Sequence, residues 1–160
     1  MEIIVRPARM EDYPAAERIM MQVQELHVGW RPDIYRKVDV ALPKEELAEG
    51  VEQGTFCVAE ADGNVAGILS FMYRHVRSPH QVERDVLYVD TMAVDEPYRG
   101  QGVGHAFFAY LKRLKVEQGL DGIELQVNAR NLRAMEMYEK CGFTPKSVNM
   151  ELLEQEEQTE

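Results

Sequence analysis

The hexapeptide Arg99-Gly100-Gln101-Gly102-Val103-Gly104 stands where a strand-like run ending at Val94 gives way to a helix-like one. The first N–H groups of a helix have no partner inside it and lie at the positive end of its dipole. Glycines allow positive φ and let an anion come close to the backbone, so a turn of this kind can cradle phosphate. Arg99 adds a planar fork able to clamp or screen a pyrophosphate. The turn alone does not select its ligand. A nucleotide-binding loop requires Lys followed by Ser or Thr after the last glycine, whereas His105 follows Gly104. A dinucleotide fingerprint would place its third glycine at His105 and fails there too.

Two other groups could do chemistry. Asp90 lies between Val89 and Met92 in the run leading to the turn, and a carboxylate in a buried strand needs a partner. With a period of two, Tyr88, Asp90 and Met92 share a face. Further on, Asn131, Ala134 and Tyr138 are spaced by three and four, which puts them on one face of a helix.

The elements that must position these residues alternate between strand and helix, which predicts an α/β or mixed α+β domain. Residues 2–6 read as a strand and Asp12-Tyr13-Pro14 as a helix start, with Ala15, Ile19, Met20, Val23 and Leu26 at helical spacing and Gly29 as the stop. Residues 30–40 read as loop and Pro43 to Gln53 as a second helix ended by Gly54. Thr55–Ala61 and Val65–Tyr73 read as strands joined through Asp62-Gly63-Asn64, a hairpin signal. Arg74 to Gln81 reads as loop and Val82 to Val94 as strand. A helix is expected over Gly102–Gln118, one apolar face being Val103, Ala106, Phe107, Tyr110, Leu111 and Leu114. A short strand at Ile123–Val127, a helix at Asn131–Cys141 ended by Gly142, and a last strand at Val148–Leu153 complete the reading. Residues 1–153 are expected to form a single domain, followed by an acidic tail at 154–160.

The chain has 160 residues and a formal net charge of −10. That balance argues against general affinity for nucleic acid, which needs a basic surface, and is compatible with a cationic acceptor. No apolar run reaches the length of a membrane span, and Met1 to Val5 lacks the pattern of a signal peptide, so a cytoplasmic location is expected with no membrane partner. Cys57 and Cys141 are expected to be reduced, and the four histidines show no metal-ligand spacing with them, so no metal site is expected.

The glycine turn, read with the later segment, resembles the GNAT superfamily of acyl-CoA N-acyltransferases. The family's Gln/Arg-x-x-Gly-x-Gly/Ala motif stands here as Arg99 to Gly104. A second family element, carried by Asn131, Ala134, Tyr138 and Gly142-Phe143, follows at the expected distance. Arg6-Pro7-Ala8 resembles the usual opening of the family and Asn149-Met150-Glu151-Leu152 a common ending, so the likeness covers the whole chain.

The resemblance implies the GNAT fold, a twisted, mostly antiparallel mixed sheet flanked by helices and splayed near residues 90–94 and 123–127 to admit acetyl-CoA. It implies acetyl transfer to a primary amine in a ternary complex, with no acetyl-enzyme. Backbone groups of Met92, Ala93 and Val94 would pair with the pantetheine arm and supply the oxyanion donor. N–H groups of Arg99, Gly100, Gln101, Gly102, Val103 and Gly104 would hold the pyrophosphate. Asn131 would bond the arm or its neighbours, and Ala134 would leave room for it. Tyr138 would be the general acid, since a thiol of pKa roughly 8.5 and a phenol of about 10 are close enough for proton transfer. Asp90 would be the base that deprotonates the amine. His27, Trp30, Tyr73 and Tyr88 would line the acceptor side, where aromatics suit a cation. A small cationic amine is the expected acceptor. The alternatives are a protein lysine or N-terminus as acceptor and a non-catalytic acyl-CoA-binding module, and a homodimer using a sheet edge or the C-terminal strand is a family-level expectation.

Overall fold

The computed structural model describes residues 1–154, so the acidic stretch expected to form a tail lies, from 155 on, outside the described residues. Five strands form one sheet in the order β1 (Ile3–Pro7), β2 (Phe56–Ala61), β3 (Asn64–Ser78), β4 (Gln81–Val94), β5 (Gly122–Leu125). All neighbours are antiparallel except β4 and β5, which run parallel. Four α-helices accompany them: α1 (Tyr13–Trp30), α2 (Lys44–Gln53), α3 (Val103–Glu117) and α4 (Leu132–Lys140). This is the mixed sheet flanked by helices that the sequence led us to expect.

The strand period of two builds both faces of the core. Along β2, Phe56 and Val58 face a layer containing Ala16 and Ile19 of α1, Leu42, and Leu47 of α2. Their neighbours Cys57, Ala59 and Ala61 face the opposite way, onto Phe107, Phe108 and Leu111 of α3. A strand buried on both faces reads as a nearly unbroken apolar run, and β2 does so. The hairpin at Asp62-Gly63 has both central residues at positive φ, 52° and 80°, as a two-residue turn matched to strand twist requires. Gly67 on β3 is a packing glycine: a Cβ there would lie 2.9 Å from the Ala93 carbonyl oxygen and equally close to Phe107 and Val103. Its missing side chain lets α3 lie flat on the sheet.

Four expectations are corrected. Arg74 to Gln81 is not loop, because β3 and β4 continue as a paired ribbon to Ser78 and Gln81, with His75 opposite Asp85 and Val76 opposite Arg84. Cross-strand contacts from His75 to Glu83 (2.9 Å) and Asp85 (2.7 Å) stabilise a stretch that Ser78-Pro79 made look irregular. Helix α1 passes through Gly29 to Trp30, since the glycine meets no obstacle and the helix closes through Arg31 N–H to His27 O. Strand β5 ends at Leu125, short of Val127. Val148–Leu153 is not a strand: it forms no ladder with β5 and is held by side chains, Lys146 to Glu124 and Arg31 to Glu151. Among the described residues no helix is long and apolar enough to cross a membrane.

Candidate active site

The site begins where two paired strands part. Strand β5 pairs with Val86–Val89 of β4 and no further. At that point β4 is bulged: Val89 faces Phe71 and Thr91 faces Ser70, so Asp90 is the extra residue. Past the bulge, from Asp90 to Val94, one edge of β4 has no strand beside it among the described residues.

The alternation of an antiparallel ladder assigns the free groups. Asp95 N–H donates to Ala66 O at 2.8 Å, so Ala93 and Thr91 also direct their backbone groups toward β3. Met92 and Val94 therefore direct theirs the other way, into the gap. Of the three residues expected to pair with a pantetheine arm, Ala93 has its backbone committed to the sheet.

Beyond Val94 the chain makes a single turn, Glu96–Tyr98, and enters the glycine segment. Gly100 and Gly102 have φ of 74° and 95°, values that side-chain-bearing residues rarely adopt. Gly102 caps α3, whose first turn closes with Ala106 N–H to Gly102 O; the N–H groups before it are free of helical partners. Gly104 serves a different purpose. It is helical, and a Cβ on it would lie 2.7 Å from Met137 Sδ of α4. Two glycines shape the turn, and the third seats α4 against α3.

That seating brings Tyr138 to the donor elements. Its ring stands edge-on to Phe108 of α3, with centroids 5.7 Å apart, and tilts against Phe143 at 6.0 Å. Its hydroxyl has no hydrogen-bond partner among the described residues, and burial pushes the phenol's pKa above its ordinary value. Asn131 caps α4, its Oδ1 accepting from Ala134 N–H at 3.2 Å, and its NH₂ remains to donate to a ligand. Asn128 shapes the preceding turn by accepting from Arg130 N–H.

Arg99 does not extend freely from the turn. Its Nε donates to Val94 O (3.2 Å) and its Nη2 to Gln22 Oε1 (3.3 Å), which occupies the Val94 carbonyl. Gln22 Nε2 in turn donates to Asp95, a carboxylate only 2% exposed, which also takes a 2.6 Å ion pair from Arg18. Burial alone would raise the Asp95 pKa; the bonds from Arg18 and Gln22 outweigh it and hold the pKa below the ordinary carboxylate value. Sequence reasoning missed Gln22, Arg18 and Asp95 as site residues. Asp95 belongs to no motif in the sequence, and nothing in the helical spacing of α1 marks Gln22.

The residues expected on the acceptor side separate into two groups. His27 packs on Trp30 (5.5 Å) and Tyr35 (4.7 Å) at the end of α1, where Arg130 donates to the Trp30 carbonyl. Tyr73 and Tyr88 lie on the β3–β4 ribbon instead, Tyr73 edge-on to Phe71. The face of Tyr88 already carries a cation, the Arg74 guanidinium at 3.5 Å. Helix α2 contributes acids near Asp90: the Glu46 pKa is raised by desolvation and then by the charges of Asp90 and Glu49. Among the described residues no three His, Cys, Asp or Glu side chains gather as a metal site.

Sheet, bulge, glycine turn and α4 together define a GNAT acyltransferase fold. The sequence profile of the acetyltransferase (GNAT) family matches residues 20–143, and the chain belongs to that family. Its members use acetyl-CoA as cosubstrate, and by family the chain is an acetyl-CoA-dependent N-acetyltransferase. A crystal structure of a mutant BH1408 protein from Bacillus halodurans superposes with TM-score 0.86 at 27% identity, covering 95% of this chain and 99% of that one. An N-acetyltransferase of Bacillus subtilis (strain 168), YycN, is 25% identical over 121 residues, 76% of either chain. The streptothricin acetyltransferase of Escherichia coli is 30% identical over 66 residues, 41% of this chain, and the matched stretch spans only 38% of that protein.

Proposed function

We propose that the chain, one domain over residues 1–153, moves the acetyl group of acetyl-CoA onto a primary amine of a small cationic molecule, by direct attack in a ternary complex. The observation that carries this reading is the unpaired β4 edge, which starts at the Asp90 bulge and leads straight into the glycine turn. An extended pantetheine arm would take the place of the missing strand, bonding the backbone groups of Met92 and the N–H of Val94 that face the gap, with Ala134 making room and the Asn131 NH₂ donating. The pyrophosphate would take the N–H groups from Arg99 to Gly104, including Gly100, Gln101, Gly102 and Val103.

The amine lone pair attacks the thioester carbonyl carbon, and a tetrahedral oxyanion forms against the Met92 or Val94 N–H. The C–S bond then breaks. Tyr138 gives its proton to the leaving thiolate, and the nitrogen's proton passes to Asp90, directly or through water. A half-buried phenol with an unspent hydroxyl suits the acid, since desolvation raises its pKa and it stays protonated throughout the neutral range. No cysteine nucleophile is needed; Cys141 stands at the end of α4 with Sγ 3.6 Å from His105 Nδ1.

Asp90, Glu46 and Glu49 make the region around the bulge acidic, which favours a cationic acceptor, and a relative named for streptothricin points the same way. His27 and Trp30 would contact that acceptor, with Tyr73 and Tyr88 farther along the ribbon. A homodimer is part of the reading: Val148, Met150 and Leu152 are exposed by 76%, 83% and 94%, and β5 is the last strand of the sheet among the described residues. Light scattering should give twice the chain mass; a monomer at micromolar concentration removes the dimer. Both cysteines are free thiols, which suits the reducing cytoplasm.

The test is a thiol-release assay with acetyl-CoA against polyamines, aminoglycosides, amino acids, and lysine and N-terminal peptides. Release that depends on a small amine is the expected result. Release with peptides alone would transfer the reading to a protein acetyltransferase. Acetyl-CoA binding without any turnover would favour an acyl-CoA-binding module.

A further inference from the structure

One side chain on α1 makes three contacts with the segment that introduces the glycine turn. Gln22 Nε2 donates to Asp95 Oδ1 (2.8 Å), and its Oε1 accepts from Glu96 N–H (3.2 Å) and from Arg99 Nη2 (3.3 Å). Arg99 passes the restraint on to the Val94 carbonyl, which faces the gap beside β4. Arg18, one helical turn before Gln22, neutralises the buried Asp95 from the same helix. A carboxamide is suited to this place because it offers a donor to the carboxylate and an acceptor to the two N–H groups at once. Of the family's two motif segments, neither contains α1.

We propose that Gln22 is a positioning residue for the donor turn. It holds Arg99 and residues 95–99 in the arrangement that binds acetyl-CoA, and so makes donor affinity depend on α1. The proposal rests on the reading of the glycine turn as the acetyl-CoA site. Gln22 itself touches no reacting atom. Its effect therefore belongs in donor binding rather than in the chemical step, and it should depend on Arg99. A side chain that only glued α1 to the sheet would lower the melting temperature and leave donor affinity alone.

The experiment is a double-mutant cycle on the full chain, with the Kd of CoA by calorimetry, and KM for acetyl-CoA and kcat with saturating amine. Gln22→Ala should raise both Kd and KM about tenfold, the worth of one or two net hydrogen bonds, with kcat at saturating donor nearly unchanged. Arg99→Ala should do much the same, and the double variant should be little worse than the more damaging single one. Gln22→Glu keeps the acceptor for Arg99 but opposes Asp95 with a second carboxylate. It should weaken binding, and adding Asp95→Asn should recover most of the loss by restoring a donor–acceptor pair. If wild type binds CoA while Gln22→Ala changes only the melting temperature, or if the two losses add, the proposal fails and the donor site stands. If wild type binds no CoA, the donor site itself is wrong and the proposal falls with it. The glutamate and asparagine pair keeps the test decisive if the alanine variant does not fold.

Discussion

The proposed donor and acceptor halves of this molecule are made in different ways. The donor half runs almost without interruption from Asp90 to Phe143 and works mainly through backbone: the β4 edge, two glycines at positive φ, and the free N–H groups that open α3. The acceptor half is made of side chains from elements distant in sequence. His27, Trp30 and Tyr35 cluster at the end of α1, while Tyr73 and Tyr88 lie on the β3–β4 ribbon, one of them already covered by Arg74. A backbone site needs certain conformations and few particular side chains, so one sequence pattern can specify it. A side-chain site can be built in many ways, and its pattern is correspondingly faint.

Substitutions can break or sharpen this contrast, beginning with the largest effect. Tyr138→Phe should lower kcat by about a hundredfold or more, within the usual worth of a positioned acid, and leave the Kd of CoA unchanged. Steady-state kinetics beside calorimetry would show the split; an unchanged kcat with the best amine removes the acid. The wild-type rate should also hold to a higher pH than an ordinary phenol allows. The acid works only while protonated, and burial has moved its deprotonation upward.

Gly102→Val tests the backbone character of the donor half. At φ 95° a branched residue is strained by about 1–2 kcal/mol or gives up the conformation, so CoA affinity should fall about tenfold, against a much smaller change in KM for the amine once donor is saturating. Equal damage to both substrates would erase the distinction between the halves. Trp30→Ala should do the reverse, raising KM for the amine by a few-fold, about the loss of one exposed cation–π contact, while CoA binding holds.

The smallest effect near neutrality is electrostatic. The folded-state pKa of Asp95 is depressed, so its contribution to stability is complete above the ordinary carboxylate value and is lost as pH falls through the folded value. Circular dichroism across the acid range should show stability falling below about pH 4. Asp95→Asn should make that fall shallower while lowering stability at pH 7, because Arg18 loses its partner. An acid limb that ignores the substitution would assign it to other carboxylates, Asp12 with Arg6 foremost.

Much of the candidate donor site is legible in the sequence. Arg99 to Gly104 and the Asn131–Phe143 segment carry local conformational demands, and local demands leave local patterns. The hairpin at Asp62-Gly63 was legible for the same reason. The misreadings arose where pairing overrode local preference. Arg74 to Gln81 looks like loop because Ser78-Pro79 breaks the pattern, yet the opposite strand and the His75 contacts hold it extended. Val148–Leu153 has the alternation of a strand and no strand beside it.

Sequence by itself determined the family, the order of most elements, the glycine turn and the candidate acid, since each depends on residues close together in the chain. Tertiary structure alone decided that Asp90 is a bulge, that Met92 and Val94 rather than Ala93 face the gap, that Gly67 and Gly104 are packing glycines, and that Gln22 reaches Arg99. These facts depend on register and on contacts between residues far apart in the chain. Such contacts are chosen by the packing of whole elements, and no short pattern of residues encodes them.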